Sequence, residues 1–218
     1  MRTSLGRSEL AEYLSRQLNT YFPDGRDVSK NVLGHPVDTA LQRVEHCFSR
    51  ICSKYYVEDS SPLFDHLHAD HYATFLYFTA AAIYRQGADE RLCAKLVHLN
   101  KCLHGLDLFY EVELPDIFLL VHPLGTVLGR AKYADYLVVY QRCGVGSNHG
   151  VYPVLGEFVT LRPGASVLGS CRVGTNCTIA ADSLLLDRTL DDNLVYIGNP
   201  LNHVIKPAGG PSHIWQRG

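Results

Sequence analysis

Imidazole is the side chain best suited to moving protons near neutral pH, and the histidines of this 218-residue chain fall in a few distinct settings. Between Asp116 and Pro207 lie His122, His149 and His203. His122 precedes Pro123 and follows an acidic approach, Glu111, Glu113 and Asp116, which can orient an imidazole or bind an amine. His149 lies in the segment GVGSNHGVY, Gly144 to Tyr152, beside Ser147 and Asn148. His203 follows the terminal turn and reads as structural. A separate cluster, His66-Leu-His68-Ala-Asp70-His71, resembles a metal box, since His68 and His71 can face one way on a helix. No Cys or Glu completes a tight site there, and Asp70 makes a good helix cap, so no metal is expected.

Two kinds of element must position these groups. Up to about Leu106 the apolar residues recur at helical spacing. Leu10, Tyr13, Leu14 and Leu18 mark a first helix with Ser8 as its cap, and Val37, Leu41, Val44, Phe48 and Ile51 mark a second. A third starts near Asp70 and a fourth follows Asp89. After Pro115 the period becomes six: Val121, Val127, Tyr133, Val139 and Val145, then Leu155, Leu161, Val167, Val173 and Ile179. Four residues after each member of the second series stand Val159, Ala165, Cys171, Cys177 and Ser183, all small or moderate. This is the hexapeptide pattern of a parallel β-helix, in which three hexads make one triangular coil and the aliphatic residue points inward. The two registers are offset by four residues, which reads as a loop extruded from one corner, and Gly144 to Tyr152 fits it.

Composition removes several function classes. Twenty Lys and Arg against 22 Asp and Glu leave a net charge of −2, which gives no support for a nucleic-acid or anionic-membrane surface, since either needs a concentrated positive field. No stretch reaches the ~20 apolar residues of a membrane span. The amino terminus lacks the apolar core of a secretion signal, and seven Cys without a CxxC pair read as reduced thiols of a cytoplasmic protein.

Hexads of this kind, preceded by helices and closed by Ile197-Gly-Asn-Pro200 and Val204-Ile-Lys-Pro207, resemble the left-handed β-helix acyltransferases. The chain looks most like the serine O-acetyltransferases, through Leu99-Asn-Lys-Cys-Leu-His-Gly105, Tyr110-Glu-Val-Glu-Leu-Pro115, Val121-His-Pro-Leu-Gly-Thr-Val-Leu-Gly129 and Tyr152-Pro-Val-Leu-Gly156. The resemblance implies an α+β chain: a helical domain at 1–115, a left-handed parallel β-helix of about four coils at 116–207, and a C-terminal tail at 208–218. It also implies a homotrimer or dimer of trimers, with acetyl-CoA in the groove between neighbouring β-helices. The family carries an early His-Pro, then Asp-His-Ala-Thr-Gly, then a second His-Pro. Here His122-Pro123 matches the first and Tyr152-Pro153 stands for the last, with Asp135-Tyr136-Leu137 nearest the middle motif.

Acetyl transfer from a thioester to a hydroxyl needs a base, donors for the oxyanion, and two aligned substrates. His122 and His149 are the candidate bases, with Glu111, Glu113, Asp116 and Tyr152 on the acceptor side and Gly146 or Gly129 as amide donors. Acetyl-CoA, the one co-substrate implied, would run along coil edges at Gly146, Ala165, Ser170 and Ala180, its phosphates meeting Arg188 or Lys206. The acceptor is a small molecule, L-serine or a serine-like hydroxyl. A surface-polysaccharide sugar and a non-catalytic trimeric scaffold remain alternatives. A zinc lyase on the same β-helix is disfavoured, because it draws two ligands from one close stretch, whereas His122 and His149 stand 27 residues apart (149 − 122).

Overall fold

The computed structural model describes residues 1–87, 89–210 and 213–216. The chain divides into two compact units, the second beginning at Gly105.

The first unit is built on four helices, α1 (Arg7–Tyr21), α2 (Lys30–Phe48), α3 (Ala69–Arg85) and α4 (Glu90–His104). Leu10, Leu14 and Leu18 turn the apolar stripe of α1 inward. The helix begins at Arg7, where the Gly6 amide donates to Glu9 Oε2 at 2.8 Å, so Ser8 lies inside the first turn and is not the cap. α2 starts well before Val37 and runs through Pro36, whose ring nitrogen donates nothing to the turn before it. Burial of Leu33, Val37, Leu41 and Val44 holds the helix through that defect. α3 is enclosed on all sides from Asp70 to Ile83 and packs against α2 and α4. Its cap position is His68, with Asp70 in the first turn. At the start of α4, Asp89 Oδ1 accepts the Arg91 amide at 2.8 Å. A small sheet, β1 (Arg2–Thr3), β2 (Val57–Glu58) and β3 (Ser61–Phe64), completes the unit in the order β1-β3-β2.

The histidine cluster belongs to this core. His68 and His71 stack with ring centroids 4.0 Å apart, and His71 Nδ1 accepts the Asp65 amide at 3.1 Å. Burial pushes the His71 imidazole down to about 3 and that of His104 down to about 4. Among the described residues no group of three or more His, Cys, Asp or Glu is arranged to hold a metal ion, and no helix is long and apolar enough to cross a membrane.

In the second unit short parallel strands stack into three faces. Face A holds β4 (Asp107–Leu108), β6 (Val127–Leu128), β9 (Gly144–Gly146), β12 (Ser166–Leu168) and β15 (Leu184–Leu186). Face B holds β7 (Lys132–Tyr133), β10 (Val154–Leu155), β13 (Arg172–Val173) and β16 (Thr189–Leu190). Face C holds β5 (Phe118–Leu120), β8 (Leu137–Val139), β11 (Thr160–Leu161), β14 (Thr178–Ile179) and β17 (Leu194–Asn199), with β18 (Asn202–Pro207) added antiparallel at its edge. The chain runs A, B, C and back to A as a left-handed β-helix, and face A's five strands make nearly five coils where about four were expected. Since β4 already pairs with β6, the segment from Asp107 to Asp116 is part of the coil unit.

Stacking explains the sequence pattern residue by residue. Leu155, Leu161, Val167, Val173 and Ile179 all point inward. Their partners in the pattern fill the corners: Cys143, Ala165 and Ser183 form one enclosed column between faces C and A, and Val159 and Cys177 another between B and C. Burial pushes the Cys143 thiol up to about 11, and the buried thiols of Cys143, Cys171 and Cys177 lie against backbone carbonyls at 3.0 to 3.2 Å. The first series is off by one at its start. Leu120, paired with Val139, and Leu128, paired with Val145, are the inward residues, whereas Val127 is 49% exposed. The crossing between them takes eight residues (128 − 120) where the coil above takes six (145 − 139), so two residues are inserted.

Two consequences can be measured. Ala165→Leu forces bulk into a closed corner and should destabilise the coil unit by roughly 1–3 kcal/mol, whereas Val127→Ala, on the surface, should shift stability by less than about 0.5 kcal/mol. Equal denaturation midpoints for the two variants contradict the closed column. In the helical unit, His71 and His104 bind protons more weakly folded than unfolded, so their contribution is complete above pH ~6.5 and is lost as pH falls toward their folded values. The loss should reach about 1.4 kcal/mol per pH unit for each group. Helical circular dichroism during thermal unfolding at pH 7, 6 and 5 checks this, and a melting temperature constant over that range refutes it.

Candidate functional site

The corner between faces C and A carries His122. Val121 donates to the Val139 carbonyl at 2.8 Å, after which the chain turns outward: Leu124 N donates to His122 O at 2.7 Å and Thr126 N to Pro123 O at 3.0 Å. Thr126 then closes the turn from inside, its hydroxyl donating to Tyr140 O at 2.9 Å and accepting the Cys143 amide at 3.2 Å. The inserted turn leaves the His122 side chain exposed on a left-handed backbone, φ 49°. Other corner residues, Tyr136, Arg142, Phe158 and Asp182 among them, share that conformation, so it is a property of the coil. What sets His122 apart is its place on an insertion.

The carboxylate beside this turn is one the sequence reading missed. Gly125 N donates to Gly105 O at 3.0 Å and Asp107 N to Thr126 O at 2.9 Å, so β4 runs alongside the His122 turn with Asp107 opposite the exposed Val127. Asp107 went unseen because it precedes the change of period by several residues. Of the predicted acidic approach, Glu111 forms an ion pair with Arg130 at 2.6 Å, near the corner between faces A and B, and Asp116 adjoins Ile117 near the corner between B and C. Glu113 is exposed between them.

His149 lies at a different corner, between faces A and B. Asn148 and Val151 exchange backbone hydrogen bonds at 3.0 and 3.1 Å around His149 and Gly150, whose φ values of 49° and 77° are those of a type I′ turn. Asp187 in the coils above ties this hairpin down. Its carboxylate accepts Asn148 Nδ2 at 2.6 Å and the Ser170 amide at 2.7 Å, and these bonds, the Ser170 one foremost, hold it below the usual carboxylate range. Gly169 makes room, since a Cβ there would meet Asp187 Oδ1 at 2.0 Å. Tyr152, 43% exposed, leaves the hairpin toward face B. One face separates the His122 and His149 corners, six residues of strand or ~20 Å, so the two imidazoles do not share a site within one chain.

The residues expected along acetyl-CoA fall in three places. Ala165 is fully enclosed because it fills a corner column, which corrects its assignment to a ligand edge. Gly146, Ser170 and Arg188 lie on face A or its border with B, Arg188 donating to His203 Nε2 at 2.6 Å while that ring stacks on Tyr196. Ala180 lines a cavity of about 580 Å³ on face C, with Tyr140, Arg162, Thr178 and Asn176. Residues Ala208 to Gly210, His213 and Ile214 of the tail form its outer side, with Ala208 N bonded to Asn193 O and Asn176 Nδ2 to Gly209 O. Lys206, opposite Val195 on β18, is exposed at the edge of the same face. Arg162, its guanidinium over the Tyr140 ring at 5.3 Å, is a cation the sequence reading did not single out.

No family model matches the chain. A serine acetyltransferase of Synechococcus elongatus is 32% identical over 110 residues, 48% of this chain and 45% of that protein. One from Staphylococcus aureus is 24% identical over 144 residues, 63% of this chain and 66% of that protein. The chain thus spans less than half of the first relative and just under two thirds of the second. Among solved structures, the serine acetyltransferase of Brucella abortus superposes with a TM-score of 0.72 at 22% identity, over 94% of this chain and 85% of that one. A soybean serine acetyltransferase complexed with serine gives 0.68 at 17%, over 93% and 84%. A helical unit followed by a left-handed hexapeptide coil, similar over part of its sequence and in fold over nearly its whole length, gives this chain a serine-acetyltransferase-like hexapeptide-repeat architecture.

Proposed function

We propose that the protein is an acetyl-CoA-dependent O-acetyltransferase that acts on the hydroxyl of L-serine or a serine-like acceptor. The observation that carries this reading is the exposed imidazole of His122 on an inserted turn, with Asp107 on the strand alongside. In this reading His122 takes the acceptor's hydroxyl proton as the oxygen attacks the thioester carbonyl. The tetrahedral oxyanion collapses, the carbon–sulfur bond breaks, and the departing thiolate takes the proton back from the imidazolium. Asp107 is a positioning residue that favours the ring orientation and the imidazolium. A structure of the Brucella abortus serine acetyltransferase in complex with coenzyme A, with a TM-score of 0.71, supports the choice of acetyl donor.

The separation of the His122 and His149 corners supports assembly as a trimer, in which the hairpin of one copy, with His149 and Tyr152, approaches the His122 corner of the next. The face C cavity beneath the tail, which includes Ala180, is then the stretch offered to the pantetheine and nucleotide of the donor, with Arg162 and Lys206 as cations for its phosphates. All seven thiols are unpaired, which supports a reducing, cytoplasmic setting.

Acetyl-CoA consumption, followed by free-thiol release with L-serine, tests the assignment. His122→Ala should lower the rate roughly 10²- to 10⁴-fold while calorimetry still detects coenzyme A, and Asp107→Asn should lower kcat with little change in acetyl-CoA affinity. Full turnover by the His122→Ala protein removes His122 from the reaction and transfers the role to His149.

A further inference from the structure

The corner above His122 holds a cation in a setting that the acetyl-transfer reading leaves unused. Arg142 sits one coil higher, a step of ~4.8 Å along the stack, with its amide bonded to Leu124 O at 2.9 Å. Gly125 has no side chain, and a Cβ there would touch Arg142 Cγ at 3.6 Å, so the arginine stem starts directly over the turn that presents His122. Its guanidinium turns up the stack to Asp182, Nη2 to Oδ1 at 3.3 Å, across Gly164. A Cβ at Gly164 would meet Asp182 Oδ1 at 2.1 Å and Arg142 Nη2 at 3.5 Å, so the pair exists because that residue is glycine.

Arg142 and Asp182 are 64% and 71% exposed, and an ion pair so open to water is weak and easily exchanged. Gln141, the residue before Arg142, has its Oε1 buried without a hydrogen-bond partner. The rest of the His122 turn offers Val121, Pro123 and Leu124, and Arg162, the next cation along this corner, lies over Tyr140 and lines the face C cavity assigned to the donor.

We propose that Arg142 receives a carboxylate of the acceptor, exchanging Asp182 for substrate, and that it thereby restricts the acceptor to hydroxyl compounds bearing an acid group. The proposal rests on His122 as the base and on the acetyl-transfer reading. Distance selects the acceptor over the donor's phosphates. An extended pantetheine arm is about as long as four residues of chain, ~14 Å, which carries the diphosphate well beyond a side chain rooted one coil from the reacting hydroxyl. In an amino-acid acceptor, by contrast, hydroxyl and carboxylate are separated by only two carbons, and a planar guanidinium binds a carboxylate through two parallel bonds.

The test compares L-serine, L-serine amide and a neutral hexose as acceptors in the thiol-release assay, with wild-type protein and the Arg142→Gln, Arg142→Lys and Asp182→Asn variants. Wild-type protein should prefer serine over its amide in kcat/KM by roughly 10- to 100-fold. Arg142→Gln should raise KM for serine by a similar factor, erase the preference and leave KM for acetyl-CoA unchanged, with Arg142→Lys recovering part of the loss. Asp182→Asn should lower KM for serine, because the resting partner is gone. Equal use of serine and its amide by wild-type protein, preference for the hexose, or a rise confined to KM for acetyl-CoA in Arg142→Gln overturns the proposal and leaves the acetyl-transfer reading standing. Absence of turnover with every acceptor overturns that reading, and this one with it.

Discussion

Every coil of the second unit lies on the coil below at the spacing of hydrogen-bonded strands, about 4.8 Å, and that constraint governs the rest of the molecule. A side chain that points inward is sandwiched by its equivalents above and below. At the corners the three faces converge, so the space shrinks until Ala, Ser, Cys or Val is all that fits, as the enclosed run Cys143, Ala165 and Ser183 shows. The backbone must also change direction within one or two residues, hence the left-handed conformations of Tyr136, Arg142, Phe158, Asn176, Asp182 and Asn193. The scaffold is rigid because its positions are nearly interchangeable, and for the same reason a regular coil has nothing particular to offer a substrate.

Chemistry therefore depends on departures from the repeat. The two insertions in this coil unit are the two residues added at the His122 turn and the four added at the His149 hairpin, and each holds a histidine at its tip. Both are anchored to regular structure: the first by Thr126 and by pairing with the strand that carries Asp107, the second by Asp187. Glycines beside them serve close approach. Gly169 and Gly164 each yield space to an aspartate, and each lets a polar contact cross from one coil to another. An imidazole on an otherwise stiff prism is thus held by its neighbours and not by its own turn.

The period of six from Leu155 to Leu185 could be read directly because each hexad there obeys the stacking rule without interruption. Val121 and Val127 looked like members of the same series, yet the inserted turn shifts the true inward residues to Leu120 and Leu128; an insertion of two moves the register without breaking the alternation of apolar residues. Among the helices, the second was marked from Val37 onward although it begins at Lys30 and runs through Pro36, and Asp70 looked like a cap although it is enclosed in the first turn. Asp107 carried no local signal, since its importance comes from pairing across 20 residues (127 − 107). Arg142 was invisible for a similar reason: an arginine in a hexad reads as a solvated charge until the corner beneath it is known to hold His122.

The antiparallel strand β18 has a meaning beyond its place in face C. A solenoid whose strands pair in parallel has no intrinsic last coil, because the top of the stack offers the same row of amides and carbonyls that each coil offered to the next. By folding back on β17 and ending at Pro207, a residue without an amide hydrogen, the chain presents the next would-be strand on face C with an edge of reversed polarity and an interrupted donor row. The hairpin thus decides how many coils there are and discourages a second molecule from continuing the stack, so the same pairing that builds the prism does not extend it into a fibre.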